Sequence, residues 1–217
     1  MKNVRIYILT LLLVMSFGSC ESYLDVDLKQ VLTLEEVFDK RQTTEAYLAN
    51  IYGYLPYDWL PFDNEGSVVA RSDEGSFSWL SLDYFDLNTG TWGTAHWQYK
   101  TWTHNYQGIK QASIFIKNVH LCKEIDENTR NIMQAEARFL RGYLYFMMLR
   151  KYGPIYVWGD DESDDTIKAE DIDRHSFDVN YNFILEEFNK AIAVLPEEML
   201  DEAWYGRLTK GAAMAIK

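Results

Sequence analysis

The stretch Gln134 to Pro154, QAEARFLRGYLYFMMLRKYGP, decides the fold. Phe139, Tyr143 and Phe146 recur at helical spacing on one side, Leu140, Leu144 and Met148 on another, and Tyr145, Met147 and Leu149 fill most of the rest. A helix apolar nearly all round is buried by neighbours on several sides. Ala135, Ala137 and Gly142 are small enough for adjacent helices to come close, and Gly153 and Pro154 supply the stop. About twenty residues at about 1.5 Å of rise each make a helix of roughly 30 Å. That length also suits a bilayer, but Glu136, Arg138 and Arg141 lie inside the run and Arg150 and Lys151 near its end, which favours a core helix with its arginines paired to carboxylates.

Upstream, Thr33 and Glu36 form a capping box flanked by Leu32 and Val37, the pattern of a hydrophobic staple. The helix expected there carries Val37, Leu48, Ile51 and Leu55 near one face, with Phe38 and Tyr47 beside it, and ends at Pro56. Trp102, Tyr106, Ile109, Ile116 and Val119 mark a second helix to about Leu121, turning through Cys122 to Asn128 onto the central one. Downstream, Phe177, Tyr181, Ile184, Phe188, Ala191 and Leu195 form a helical stripe closed by Pro196. The chain is expected to be all-α, built of stacked helical pairs around a long irregular, aromatic-rich segment.

That segment runs from Tyr57 to Trp102, where helical periodicity fails and Pro61, Gly66, Gly75, Gly90 and Gly93 punctuate the chain. It carries Trp59, Trp79, Tyr84, Trp92, Trp97 and Tyr99 among other aromatics, a load that argues against disorder and for a use. Aromatic faces stack on the C–H side of a pyranose while polar neighbours bond its hydroxyls. Packing beneath a long loop is the other use open to each tryptophan.

The sequence has 217 residues, enough for a substantial core. Net charge is −12, and because the nineteen residues before Cys20 hold two basic and no acidic residues, the remainder stands at −14. Such a surface repels phosphate backbones, so nucleic-acid binding is not expected. Aromatics reach 15%, with 7 Trp and 15 Tyr, heavier than a helical core requires. The 2 cysteines cannot make a disulfide framework, and Cys122 reads as a buried thiol. No Gly-x-Ser-x-Gly, His-Glu-x-x-His or phosphate-cradling loop is present, His96, His104, His120 and His175 lack metal spacing, and no catalytic residue or cofactor is assigned. The acidic run Asp160 to Asp165 has oxygen ligands for calcium but not the EF-hand spacing, and reads as a solvated loop.

Met1 to Cys20 has a basic start at Lys2 and Arg5, an apolar run from Ile6 to Phe17, and Gly18-Ser19-Cys20, which is signal-peptide architecture. Phe17-Gly18-Ser19-Cys20 resembles a bacterial lipobox, with Phe17 in place of the commoner Leu. Residues 1–19 are therefore expected to be a lipoprotein signal, Cys20 the lipidated residue, and residues 20–32 an acidic tether.

The string Ala135, Arg138, Phe139, Arg141, Tyr143, Tyr145, Leu149, Tyr152, Gly153 and Pro154 resembles the most recognisable helix of the SusD/RagB family, surface glycan-binding lipoproteins of Bacteroidota. Glu45-Ala46-Tyr47-Leu48 with Ile51-Tyr52, Ser72-Asp73-Glu74, and Gly206-Arg207-Leu208-Thr209-Lys210-Gly211-Ala212-Ala213 are similar to further family segments. Phe188 to Pro196 is similar to the second helix of a tetratricopeptide repeat. The resemblance implies a tetratricopeptide-like helical domain over 33–217, continuing past Lys217. It also implies an outer-membrane lipoprotein delivering glycan to a TonB-dependent, SusC-like transporter over which it sits as a lid. Carried over, it points to Trp79, Trp92, Trp97 and Tyr84 as stacking residues, with Arg71, Asp73 and Asn88 as polar partners. A helical-repeat scaffold that binds protein and no glycan is the reading from another class.

Overall fold

The computed structural model describes residues 32–56, 73, 89–91, 93, 101–160, 172–199 and 201–217. It divides into two units, Met1–Glu36 and Val37–Lys217. No strand occurs among the described residues, and the larger unit is a stack of helical pairs of tetratricopeptide-like form.

The capping box at Thr33 forms: the Glu36 amide donates to Thr33 Oγ1 at 3.3 Å and the Thr33 amide to Glu36 Oε2 at 2.8 Å. The single helix expected to follow is instead two, α1 (Leu34–Asp39) and α2 (Arg41–Tyr52), broken at an extended Lys40. Thr43 and Thr44 explain the break. Their hydroxyls donate to the carbonyls of Val37 and Lys40, giving the carbonyls at the end of α1 donors from outside the helix. Phe38, Leu48 and Ile51 are buried by the resulting bend, and Val37 is only half-buried.

The second helix, α3 (Trp102–Asn118), continues through a single 3-10 turn, Val119–Leu121, as the periodicity predicts. The central helix α4 (Glu127–Tyr152) begins a full two turns before Gln134 because Asp126 caps it, accepting from the Thr129 amide at 2.9 Å. Its 26 residues span about 39 Å. It packs on α3 on one side and α5 (Phe177–Val194) on the other, and α6 (Lys210–Ile216) lies against α5. Gly142 lets α5 approach: a Cβ there would lie 3.0 Å from the Phe188 ring. The stripe on α5 is buried at Ile184, Phe188, Ala191 and Leu195, but Phe177 (55%) and Tyr181 (49%) are exposed and stack on each other, ring centroids 6.2 Å apart. Cys122 is a free, buried thiol.

Two charged knots lie inside the stack. Arg141, fully buried, donates from Nε to Glu187 Oε2 at 2.8 Å, from Nη1 to Ser113 Oγ at 3.1 Å and from Nη2 to Asp160 Oδ1 at 2.5 Å. Arg138 adds Glu187 at 2.9 Å and Asp160 at 3.1 Å. These are the carboxylate partners that buried arginines require. The second knot was not legible in the sequence: buried Glu136 receives Arg207 at 2.6 and 3.0 Å and the Tyr52 hydroxyl at 2.6 Å, tying α2, α4 and the turn before α6 together. Burial pushes the Glu136 carboxyl above its usual range even with Arg207 in place.

Candidate functional site

The chain leaves α4 through Gly153, whose positive φ of 72° closes the helix while its amide bonds the Leu149 carbonyl at 3.0 Å. The next residues, Ile155 to Trp158, alternate: Ile155 and Val157 are buried, Tyr156 and Trp158 half-exposed. Neighbouring side chains fix this extended piece in place of a sheet. Asn180, buried on α5, receives the Ile155 amide at 3.3 Å and donates to the Ile155 carbonyl at 3.0 Å. The Val157 amide bonds His175 Nδ1 at 3.2 Å, and the Trp158 amide bonds the Tyr145 hydroxyl at 2.9 Å.

The outward rings of that piece face the start of α3 across a cleft of about 520 Å³, lined by Trp102, Tyr106, Tyr156, Trp158, Ile172, Arg174 and neighbouring polar residues. The volume is within the range of small-ligand sites. Trp102, 37% exposed, is wedged between Tyr106 and Tyr152, with centroids 5.2 and 5.1 Å away. The Tyr106 hydroxyl donates to the Tyr156 carbonyl at 3.0 Å, and burial pushes its pKa up to about 12, so the ring stays neutral. Arg174 lies 5.6 Å over Trp102 and donates to the carbonyls of Tyr152 and Pro154 at 2.9 and 3.2 Å. Gln107, Lys110, Thr103 and Asp173 give the walls donors and acceptors. Rigid aromatic faces with polar groups at the rim suit an amphipathic ligand whose hydroxyls ring an apolar face.

A second groove of about 370 Å³ beside Tyr52 and Tyr205 is less suited to a ligand, because Arg207 covers the Trp204 ring at 4.0 Å and its Nε–Nη2 edge is taken by Glu136.

Of the residues predicted from sequence, Trp79, Tyr84, Trp92, Trp97, Arg71 and Asn88 lie outside the described residues, as do Cys20 and Asp161 to Asp165. Asp73 is exposed in a turn. Asp160, offered as a calcium ligand, has its carboxylate on Arg138 and Arg141, and no group of residues that could hold a metal occurs among those described. Sequence reasoning assigned Trp102 and Tyr106 to a helix face and passed over Tyr156, Trp158 and Arg174. The two-residue alternation after Gly153-Pro154 was the available signal.

Residues 22–217 match the SusD-like family described as starch-binding and associating with the outer membrane. SusD-like protein P25 of Formosa agariphila is 26% identical over 174 residues, which make up 72% of this chain and 31% of that protein. A SusD-like protein of Bacteroides fragilis superposes with a TM-score of 0.66 at 25% identity, covering 83% of this chain and 34% of its own. A laminarin-binding SusD-like protein superposes with a TM-score of 0.66 at 19% identity, over 82% of this chain and 39% of its own, a likeness of fold alone. The chain thus spans about a third of the length of the first two relatives, 31% and 34%. With residues 22–217 inside the match, this chain belongs to the SusD-like family.

Proposed function

We propose that the protein binds oligosaccharide at the cell surface and passes it to a TonB-dependent, SusC-like transporter in the outer membrane. The observation that carries the binding step is the cleft in which Trp102, Tyr156 and Trp158 stand among polar side chains. Trp79, Trp92, Trp97 and Tyr84, with Arg71, Asp73 and Asn88, extend the binding surface in this reading. The anchor is Cys20, exposed by removal of residues 1–19 and joined by the acidic tether 20–32 to the helical domain 33–217. Its support is the basic, apolar, small-residue order of the first twenty positions. The reading is one of binding and hand-over, without catalysis or cofactor.

Affinity electrophoresis of the whole chain through polysaccharide gels tests the binding step. At least one glycan should retard it, and Trp102→Ala or Trp158→Ala should weaken that binding about tenfold, ~1.4 kcal/mol. No retardation by any polysaccharide, with no effect of the tryptophan changes, would sink the reading. A helical-repeat scaffold for a protein partner is the second reading, favoured by the exposed Phe177, Val179 and Tyr181 at the start of α5.

A further inference from the structure

We infer that the cleft beside Trp102 selects acidic oligosaccharides, bearing ring carboxylates or sulfates, and that Arg174 is the residue that reads the charge. This rests on the cleft being a glycan site, and adds the class of glycan. The first observation is a local reversal of sign. The protein carries a net charge of −12, yet among the described residues lining the cleft Lys110 and Arg174 stand against one acid, Asp173. A surface so acidic repels an anionic sugar at long range, so a site that takes one has to supply its own cation close to the ligand.

The second observation is how Arg174 is held. It is exposed, and an exposed arginine ordinarily samples many rotamers, an entropy that opposes ordered binding. Here the side chain is already fixed. Nη1 donates to the carbonyls of Tyr152 and Pro154, just where α4 ends, and the guanidinium lies over the Trp102 ring. The ordering is built into the fold and is not left to the ligand.

The third is which donors remain. With Nη1 on the two carbonyls, the edge formed by Nε and Nη2 has no hydrogen-bond partner among the described residues. That edge presents two parallel N–H groups, the fork that takes two oxygens of one carboxylate or sulfate. Two adjacent hydroxyls of a neutral sugar can occupy the same fork, but without the charge that makes the bonds to an anion about twice as strong. Tyr106, held neutral against the same wall, adds no competing negative charge. Asp173 is the exception, and serves as an acceptor for ring hydroxyls that tempers the affinity for an anion.

Titration calorimetry on the whole chain tests this, using oligogalacturonate, a sulfated galactan oligosaccharide, and the uncharged counterpart of each at equal length. At least one acidic sugar should bind about tenfold more tightly than its uncharged counterpart, and added salt should narrow the gap. Which of the two acidic sugars shows that preference tells carboxylate from sulfate. Arg174→Gln should weaken the acidic ligand about tenfold and the uncharged one less than about twofold, Arg174→Lys should fall between, and Asp173→Asn should tighten the acidic ligand. Equal affinity for acidic and uncharged sugars, or an equal loss of both in Arg174→Gln, overturns the inference and leaves glycan binding standing. Failure of every saccharide, neutral ones included, removes the glycan reading and this inference with it.

Discussion

Arg141 is held by groups from three directions, Ser113 on α3, Glu187 on α5 and Asp160 beyond Trp158. Removing one partner of a buried ion pair strands the other, so Arg141→Ala is expected to destabilise the fold by about 3–5 kcal/mol, whereas Arg141→Met with Glu187→Leu should recover much of that loss. Denaturant unfolding of the two variants measures the difference. The carboxylates around these arginines titrate in opposite senses. Half-burial works against the Asp160 charge, but Arg141 and then Arg138 hold its carboxyl below its ordinary value of 3.8. Its contribution is therefore fully present above that value and lost as pH falls through the lower, folded one. Glu136 is raised by burial above its ordinary 4.5, so its contribution is fully present below that value and declines as pH rises through the folded pKa. Accordingly, the stability gap between the native chain and Asp160→Asn should close in acid below about pH 3.8, while the gap to Glu136→Gln should narrow as pH rises above about 4.5. Unfolding free energies across pH 3 to 7, a range set by the reference carboxylate values, check both slopes. A gap that is flat in pH for Asp160→Asn would contradict the ion pair.

At the scale of elements, two glycines set how closely helices approach. A Cβ at Gly108 of α3 would meet Leu144 Cδ1 at 2.7 Å and Tyr54 Cγ and Cβ at 2.8 and 2.9 Å. Leu144 Cδ1 can swing aside, but the Tyr54 Cβ is close to its backbone and cannot. Overpacking of about 1–3 kcal/mol should outweigh the gain of about 1 kcal/mol in helix propensity, so Gly108→Ala is expected to lower stability. At Gly142 the nearest atoms are 3.0 to 3.2 Å away, a milder conflict, and alanine there should be close to neutral. Thermal melts of the pair test the ranking, and Gly142→Ala proving the more harmful would refute it. The boundary of α1 and α2 was hidden in the sequence for a related reason. Helical spacing runs on through Lys40, and only the hydroxyls of Thr43 and Thr44 reaching back to Val37 reveal that backbone bonding is interrupted.

Over the whole molecule, no helix of the described residues is long and apolar enough to cross a membrane. In the proposed reading the membrane attachment is the lipidated Cys20. Cys20→Ala is expected to leave the protein in the soluble periplasmic fraction, and its recovery with the outer membrane would count against lipidation. Sequence alone determined the helical class, the central strut α4 and its hairpin with α3, because a 3.6-residue apolar period and a Gly-Pro stop act locally and along one segment, whereas the packing of α5 on α4 came only from the tertiary structure. Arg138 and Arg141 declared themselves for the same reason: charges inside an apolar helix must be paired. Which carboxylates answer them was decided only in three dimensions, since Glu187 lies 46 residues from Arg141 and Arg207 lies 71 from Glu136. The cleft was likewise decided by the tertiary structure. Trp102 sits at the start of one helix, Tyr156 and Trp158 after the end of another, and Arg174 before a third, and no period in the chain relates them. They meet because α3 and α4 run side by side in opposite directions, placing the beginning of one next to the end of the other.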